Sequence, residues 1–138
     1  MADKRILVVE DHSSVRTLFR VILESEGYRV SEAEDGDTAL EMAESLRPHL
    51  ILLDLMMPRL DGERVIQELQ EKAELRSTPV IVVSAKEEAM DRVTEVIGQE
   101  NVFGKPFDEE QVIGRVKELI GPGGKTSSSP WKGETRRG

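Results

Sequence analysis

Three carboxylates, a hydroxyl and an ammonium stand close behind separate apolar runs in this sequence. Glu10 and Asp11 follow Ile6–Val9, Asp54 follows Leu50–Leu53, Ser84 follows Val80–Val83, and Lys105 comes two residues after the weaker run 101–103. Clustered carboxylates raise one another's pKa unless a cation sits among them. Oxygen-only ligands, with no His or Cys among them, suit a hard cation, and Mg2+, which takes one or two carboxylates, backbone oxygen and waters, fits best. Such an ion gathers phosphate oxygens and shields the charge of an incoming nucleophile. The central carboxylate, Asp54, can be that nucleophile, as in aspartyl-phosphate chemistry. Lys105 supplies a compact positive charge able to pair with a phosphoryl group, and Ser84 supplies a hydroxyl donor to it.

Each of these residues alone has a plainer reading. An acid ending a strand is usually a turn residue or a helix cap, a serine there a satisfied hydroxyl, a lysine a solvated charge; their company at the other strand ends favours function. His12 and His49 have no partner at metal-ligand spacing, so neither is expected to bind metal or carry phosphate. Met56 and Met57 read as packing and loop shape, with Met56 beside the site where it bears on water access.

The elements that must position these residues alternate in kind. The three strong apolar runs, with weaker ones at 28–30 and 101–103, read as strands, and runs apolar on both faces imply a parallel sheet covered on both sides. Val15, Leu18, Phe19, Ile22 and Leu23 form a helical stripe, with Ser13 or Ser14 as expected N-cap and Gly27 as the stop. Asp108 and Gln111 have capping-box spacing before the stripe Val112, Ile113, Val116, Leu119 and Ile120, which Gly121-Pro122 ends. Helices are also expected over 37–46, 63–74 and 87–97, and Asp35-Gly36 and Asp61-Gly62 are turn signals. Five strand–helix units predict an α/β doubly wound sheet with helices on both faces. In such sheets ligands bind at the carboxyl ends of the strands, which is where the five polar residues lie.

Composition narrows the function classes. The 138 residues, 38% hydrophobic and 33% charged, suit one globular domain. No run approaches the roughly 18 apolar residues of a membrane span, and the short run 6–9 is no signal peptide, so a cytoplasmic protein is expected. The absence of cysteine excludes disulfides, thiolate metal sites and cysteine nucleophiles. Residues 122–138 carry +3 of the net −8, leaving −11 on residues 1–121, a balance that opposes nonspecific nucleic-acid binding. That last segment is rich in Gly, Ser and Pro and reads as a flexible tail or linker stub, with Trp131 and its basic residues solvated. A nucleotide or flavin enzyme on the same sheet is disfavoured, because neither GxxxxGK[ST] nor GxGxxG follows the first strand.

The motifs "VVEDH" (8–12), "LLDLMMPRLDG" (52–62), "VVSAK" (82–86) and "GKPF" (104–107) together resemble a receiver domain of the two-component response-regulator family, over about residues 4–121. The resemblance implies a flavodoxin-like strand order 2-1-3-4-5, the order to which members of this family conform. It implies that Asp54 accepts a phosphoryl group from a histidine kinase or phosphotransfer protein, and that Asp11, Asp54 and the Met56 carbonyl hold Mg2+ while Glu10 acts mainly through a bound water. Ser84 and Lys105 would contact the phosphoryl oxygens, Pro58 and Gly62 would shape the loop after Asp54, and Lys105-Pro106 would be cis. Such a protein is no enzyme beyond its own phosphorylation and dephosphorylation. Its output would be a protein target, or a phosphorylation-dependent dimer, met through the fourth helix, fifth strand and fifth helix, with no direct nucleic-acid or membrane contact. One departure bears on that output: the switch aromatic usually stands three residues before the lysine, where this chain has Val102, with Phe103 one place later. A shift of one reverses facing in a strand, and an inert scaffold of the same fold is therefore the alternative reading.

Overall fold

The computed structural model describes residues 4–56 and 61–123. Ten elements alternate: β1 (Arg5–Val9), α1 (Ser13–Ser25), β2 (Arg29–Ala33), α2 (Gly36–Leu46), β3 (Leu50–Leu53), α3 (Gly62–Glu71), β4 (Val80–Ser84), α4 (Glu87–Ile97), β5 (Val102–Gly104) and α5 (Glu109–Ile120). A short 3-10 turn, Gln99–Asn101, precedes β5. All strands pair in parallel in the order β2-β1-β3-β4-β5.

Alternation along the central strands sorts their side chains onto two faces. Leu7, Val9, Ile51, Leu53 and Val82 pack with Ala39 and Ala43 of α2, Val65, Ile66 and Leu69 of α3, and Ala89 and Val93 of α4. Ile6, Val8, Leu50, Leu52, Ile81 and Val83 pack with Phe19 and Leu23 of α1 and Val112 and Val116 of α5. Since both faces are covered, β1, β3 and β4 are apolar throughout, as the sequence indicates. The edge strand β2, by contrast, carries Arg29, Ser31 and Glu32, and only Ala33 is buried.

Several boundaries differ from expectation for local reasons. Helix α1 starts one residue early: His12 is the N-cap, its carbonyl accepts from the Arg16 N–H at 3.0 Å, and no side chain caps the helix. The His12 N–H itself donates to Glu10 Oε2, 3.2 Å away. The two Asp-Gly pairs are helix starts: Asp35 accepts from the Thr38 N–H at 2.8 Å and Asp61 from the Arg64 N–H at 3.1 Å. Asp108 caps α5 through Glu110 and Gln111. Helix α3 stops at Glu71, three residues short of expectation, because Lys72 is extended, and the next turns bury Leu75. Gly27 and Gly121 both take positive φ just past helix ends.

At the N-terminal ends of the strands, side chains tie the chain to backbone carbonyls. Arg5 donates to the carbonyls of Leu46 and Arg47, the latter residue left-handed at φ 49°, and the Arg5 N–H donates to His49 Nδ1 at 2.9 Å. Lys4 Nζ donates to the Ile120 carbonyl, and the Tyr28 hydroxyl to that of Gly121 at 2.6 Å. Burial and the nearby Glu26 carboxylate push the Tyr28 hydroxyl up to about 12. Gly123 lies so close to the α1–β2 turn that a Cβ would stand 2.4 Å from the Glu26 carbonyl oxygen.

Candidate functional site

The opposite rim, at the carboxyl ends of the strands, gathers the polar residues singled out in the sequence. Three of them are aimed by a backbone bond to a neighbouring strand: the Glu10 N–H donates to the Ala33 carbonyl at 3.1 Å, the Asp54 N–H to that of Val9 at 3.0 Å, and the Lys105 N–H to that of Ser84 at 3.0 Å. The sheet ladder is therefore carried one residue past its strands, and the side chains leave from its edge.

Lys105 Nζ bridges the acids, 3.0 Å from Glu10 Oε1 and 3.2 Å from Asp54 Oδ2. Both carboxylates are almost fully buried, Glu10 at 1% and Asp54 at 4% exposure, so this ammonium is their chief local compensation. Burial pulls the Lys105 pKa down, but the hydrogen bond to Glu10 and the charges of Asp54 and Glu10 outweigh it and hold the ammonium above the ordinary lysine value. Asp54 Oδ1 accepts from the Met56 N–H at 3.1 Å. Met56 itself is exposed at the mouth. Ser84 is fully buried, and its Oγ accepts from the Lys86 N–H at 3.2 Å; among the described residues no hydrogen bond joins it to Asp54 or to the Lys105 ammonium.

Asp11 stands apart. Its Oδ1 is buried without a hydrogen-bond partner among the described residues, although His12 Nδ1 lies 3.4 Å away. Three carboxylates against one ammonium leave a formal charge of −2, and a buried acceptor left bare is costly. A dication neutralises the one and satisfies the other, so the residues present fit a hard divalent ion.

Gly62 also acts at this rim. A Cβ there would stand 2.6 Å from Leu55 Cα and 2.7 Å from the Asp54 carbonyl oxygen, so the start of α3 can lie against the acid only without a side chain. Lys105-Pro106 is cis. Pro58 and Met57, expected to shape the same loop, and the tail beyond Gly123 with Trp131, lie outside the described residues.

Three contributors were not foreseen in the sequence. Arg16 donates to the Glu10 carbonyl at 2.7 Å and to Glu32 at 3.0 Å, fixing β1 against β2 beside the site. Phe107 stacks on Phe19, with centroids 4.7 Å apart, and ties the loop after Lys105 to α1. His12, expected to stand alone, sits with Glu10 and Asp11. Spacing signals only the last, through its adjacency to the acid pair. On β5, Val102 packs against the α2–α3–α4 face and Phe103 against the α1–α5 face, the opposite facing anticipated from their one-residue offset.

Comparison with known proteins agrees with this geometry. Residues 6–117 match the family model described as the response regulator receiver domain. The chain is 40% identical over 119 residues to the alkaline phosphatase synthesis transcriptional regulatory protein PhoP of Bacillus subtilis, covering 86% of this chain and 49% of that protein. It is 40% identical over 126 residues to the transcriptional regulatory protein ResD of the same organism, covering 91% and 51%. The chain thus spans about half the length of the curated relatives it matches. Among solved structures it is similar to the receiver domain of the sensor histidine kinase PA1611 from Pseudomonas aeruginosa, which has a magnesium ion coordinated in its active-site cleft. That match has 32% identity, a TM-score of 0.77, and coverage of 87% of this chain and 99% of that one. With five parallel strands in this order, these motifs and these relatives, the chain belongs to the response-regulator receiver domains of two-component systems.

Proposed function

We propose that Asp54 accepts a phosphoryl group from the phosphohistidine of a histidine kinase or phosphotransfer protein. The observation that carries this reading is the burial of Asp54 at the end of β3 with its Oδ2 on the Lys105 ammonium, beside the bare Asp11 Oδ1. An Asp54 oxygen forms the new bond to phosphorus as the phosphorus–nitrogen bond of the donor breaks and its electron pair leaves with the imidazole. The Met56 N–H, on Oδ1, orients the carboxylate. Lys105 can follow the charge from the carboxylate to the phosphoryl oxygens without leaving its Glu10 partner, and Ser84 can turn its hydroxyl to donate to one of those oxygens. Asp11, Asp54 and the Met56 carbonyl would hold Mg2+, with Glu10 acting through water because Lys105 and His12 already engage its oxygens. When bound, that ion supplies charge neutralisation between the carboxylate and the incoming phosphate.

Residues 1–121 form the receiver in this reading, and the modified acid biases the surface of α4, β5 and α5 toward a protein target. The curated relatives are named as transcriptional regulators, which confines the expectation of no direct nucleic-acid contact to the acidic receiver itself. DNA binding in a protein of their length would be the work of another segment. No helix among the described residues is long and apolar enough to cross a membrane.

Incubation with acetyl phosphate and Mg2+ should add one phosphoryl group by intact mass, and Asp54→Ala should add none. A wild type indistinguishable from Asp54→Ala, with or without Mg2+, overturns the reading.

A further inference from the structure

A groove of about 350 Å3 runs between α1 and α5, the two helices that cover one face of the sheet. Ile22 and Ser25 of α1 and Ile113 and Gly114 of α5 line it, with Glu109 and Glu110 where α5 begins. Two turns further along α5, Lys117 Nζ is paired with the buried Glu26 at 2.9 Å. Gly114 stands in the middle of α5, where glycine is the least favourable residue short of proline. Its φ is not positive, and a Cβ there would meet nothing within 4 Å. Neither the backbone nor the packing of the described residues accounts for a glycine at that position, whereas a flat group laid across α5 would. The Glu109 and Glu110 carboxylates, for their part, make no ion pair or hydrogen bond among the described residues.

The chain itself carries a group of that kind. After α5 it brings Gly123 against the α1–β2 turn, where a Cβ would stand 2.4 Å from the carbonyl oxygen of Glu26, a residue of the groove wall. The chain is therefore at the border of the groove where the described residues end. Trp131, the single tryptophan, comes eight residues later, a reach of at most about 29 Å. The stretch of α5 from Glu109 to Lys117 is only about 12 Å long. Residues 122–138 carry +3, and Lys132 directly follows the indole, so the segment is opposite in charge to the two glutamates. In place of the solvation expected of these residues, we propose that residues 125–132 dock in the α1–α5 groove of their own chain, with Trp131 over Gly114 and Lys132 against Glu109 and Glu110. An indole buries a large apolar area while its N–H keeps a polar partner or water, which suits a groove of isoleucine side chains with a polar border.

Because the chain has one tryptophan, its fluorescence reads the occupant directly. Acrylamide should quench the full chain about threefold less readily than free N-acetyltryptophanamide, since a docked indole turns one face from solvent. Gly114→Gln puts a side chain into the groove and favours the helix; the pair Glu109→Gln and Glu110→Gln removes the charge that Lys132 meets. Each should raise quenching toward the free value, with far-ultraviolet circular dichroism showing both proteins folded. A wild type quenched as readily as the free indole overturns the proposal. Shielding that persists in both variants places Trp131 elsewhere and overturns the groove as its site. Shielding that vanishes on dilution assigns the groove to the same segment of a second copy and overturns the contact within one chain.

Discussion

The two rims of the sheet bury polar side chains in opposite ways. At the N-terminal rim, Lys4, Arg5 and Tyr28 each end on backbone carbonyls, and His49 accepts a backbone N–H. These partners are fixed by the fold. At the carboxyl rim, Glu10, Asp54 and Lys105 answer one another, and Asp11 Oδ1 has no hydrogen bond among the described residues. Backbone partners make a staple whose strength is constant; ionisable partners make an arrangement that depends on which charges are present. The same sheet thus carries a seam that holds and a cluster that can be rewritten by adding or removing charge.

Removal of the bridging cation is the strongest way to break the contrast. Lys105→Ala leaves Glu10 and Asp54 buried together, and in Mg2+-free buffer urea unfolding should show a loss of about 3 kcal/mol, part of which Mg2+ restores. Equal stability of the two proteins without Mg2+ would show that the cluster is not held by Lys105. Glycines test the rims next. Gly62→Ala forces a methyl against Leu55 and the Asp54 carbonyl, and should cost about 2 kcal/mol and slow phosphorylation by acetyl phosphate. At the seam, Tyr28→Phe removes one hydrogen bond and should cost about 1 kcal/mol, with phosphorylation unchanged. The tyrosine also gives the seam a pH signature. Its folded pKa is raised from 10.0 to about 12, so its contribution is complete below pH 10 and is lost as pH climbs toward 12. Tyr28→Phe should remove that portion of the alkaline decline in unfolding midpoint. Smallest of all, Gly123→Ala collides with the Glu26 carbonyl, but the segment past α5 can swing aside, so the loss should stay under about 0.5 kcal/mol.

Much of the carboxyl rim was legible because buried central strands write themselves as unbroken apolar runs. Leu50–Leu53 could only be a covered strand, and the next residue, Asp54, had to stand at its edge. The edge strands were fainter for the converse reason: β2 exposes Arg29 and half-buries Glu32, so its mixture of apolar and polar residues gives no run, and β5 is only Val102–Gly104. Partnerships across the chain left no trace either. Arg16 reaches Glu10 and Glu32, and Phe19 meets Phe107, only after the sheet has formed. His12 was visible beside the acids, but its ring reaches back to them only because the chain turns into α1 at that residue.

The fastening of α5 has a mechanical consequence. Lys4 and Tyr28 clamp its last carbonyls, while its first turn comes after the loop that carries Lys105 and is steadied by Phe107 on Phe19. Any load on one end of α5 is therefore carried along a helix tied at both, with Val112 and Val116 packed on the sheet between. Its two ends thus answer to different rims, the last carbonyls to the backbone seam and the first turn to the loop that carries Lys105.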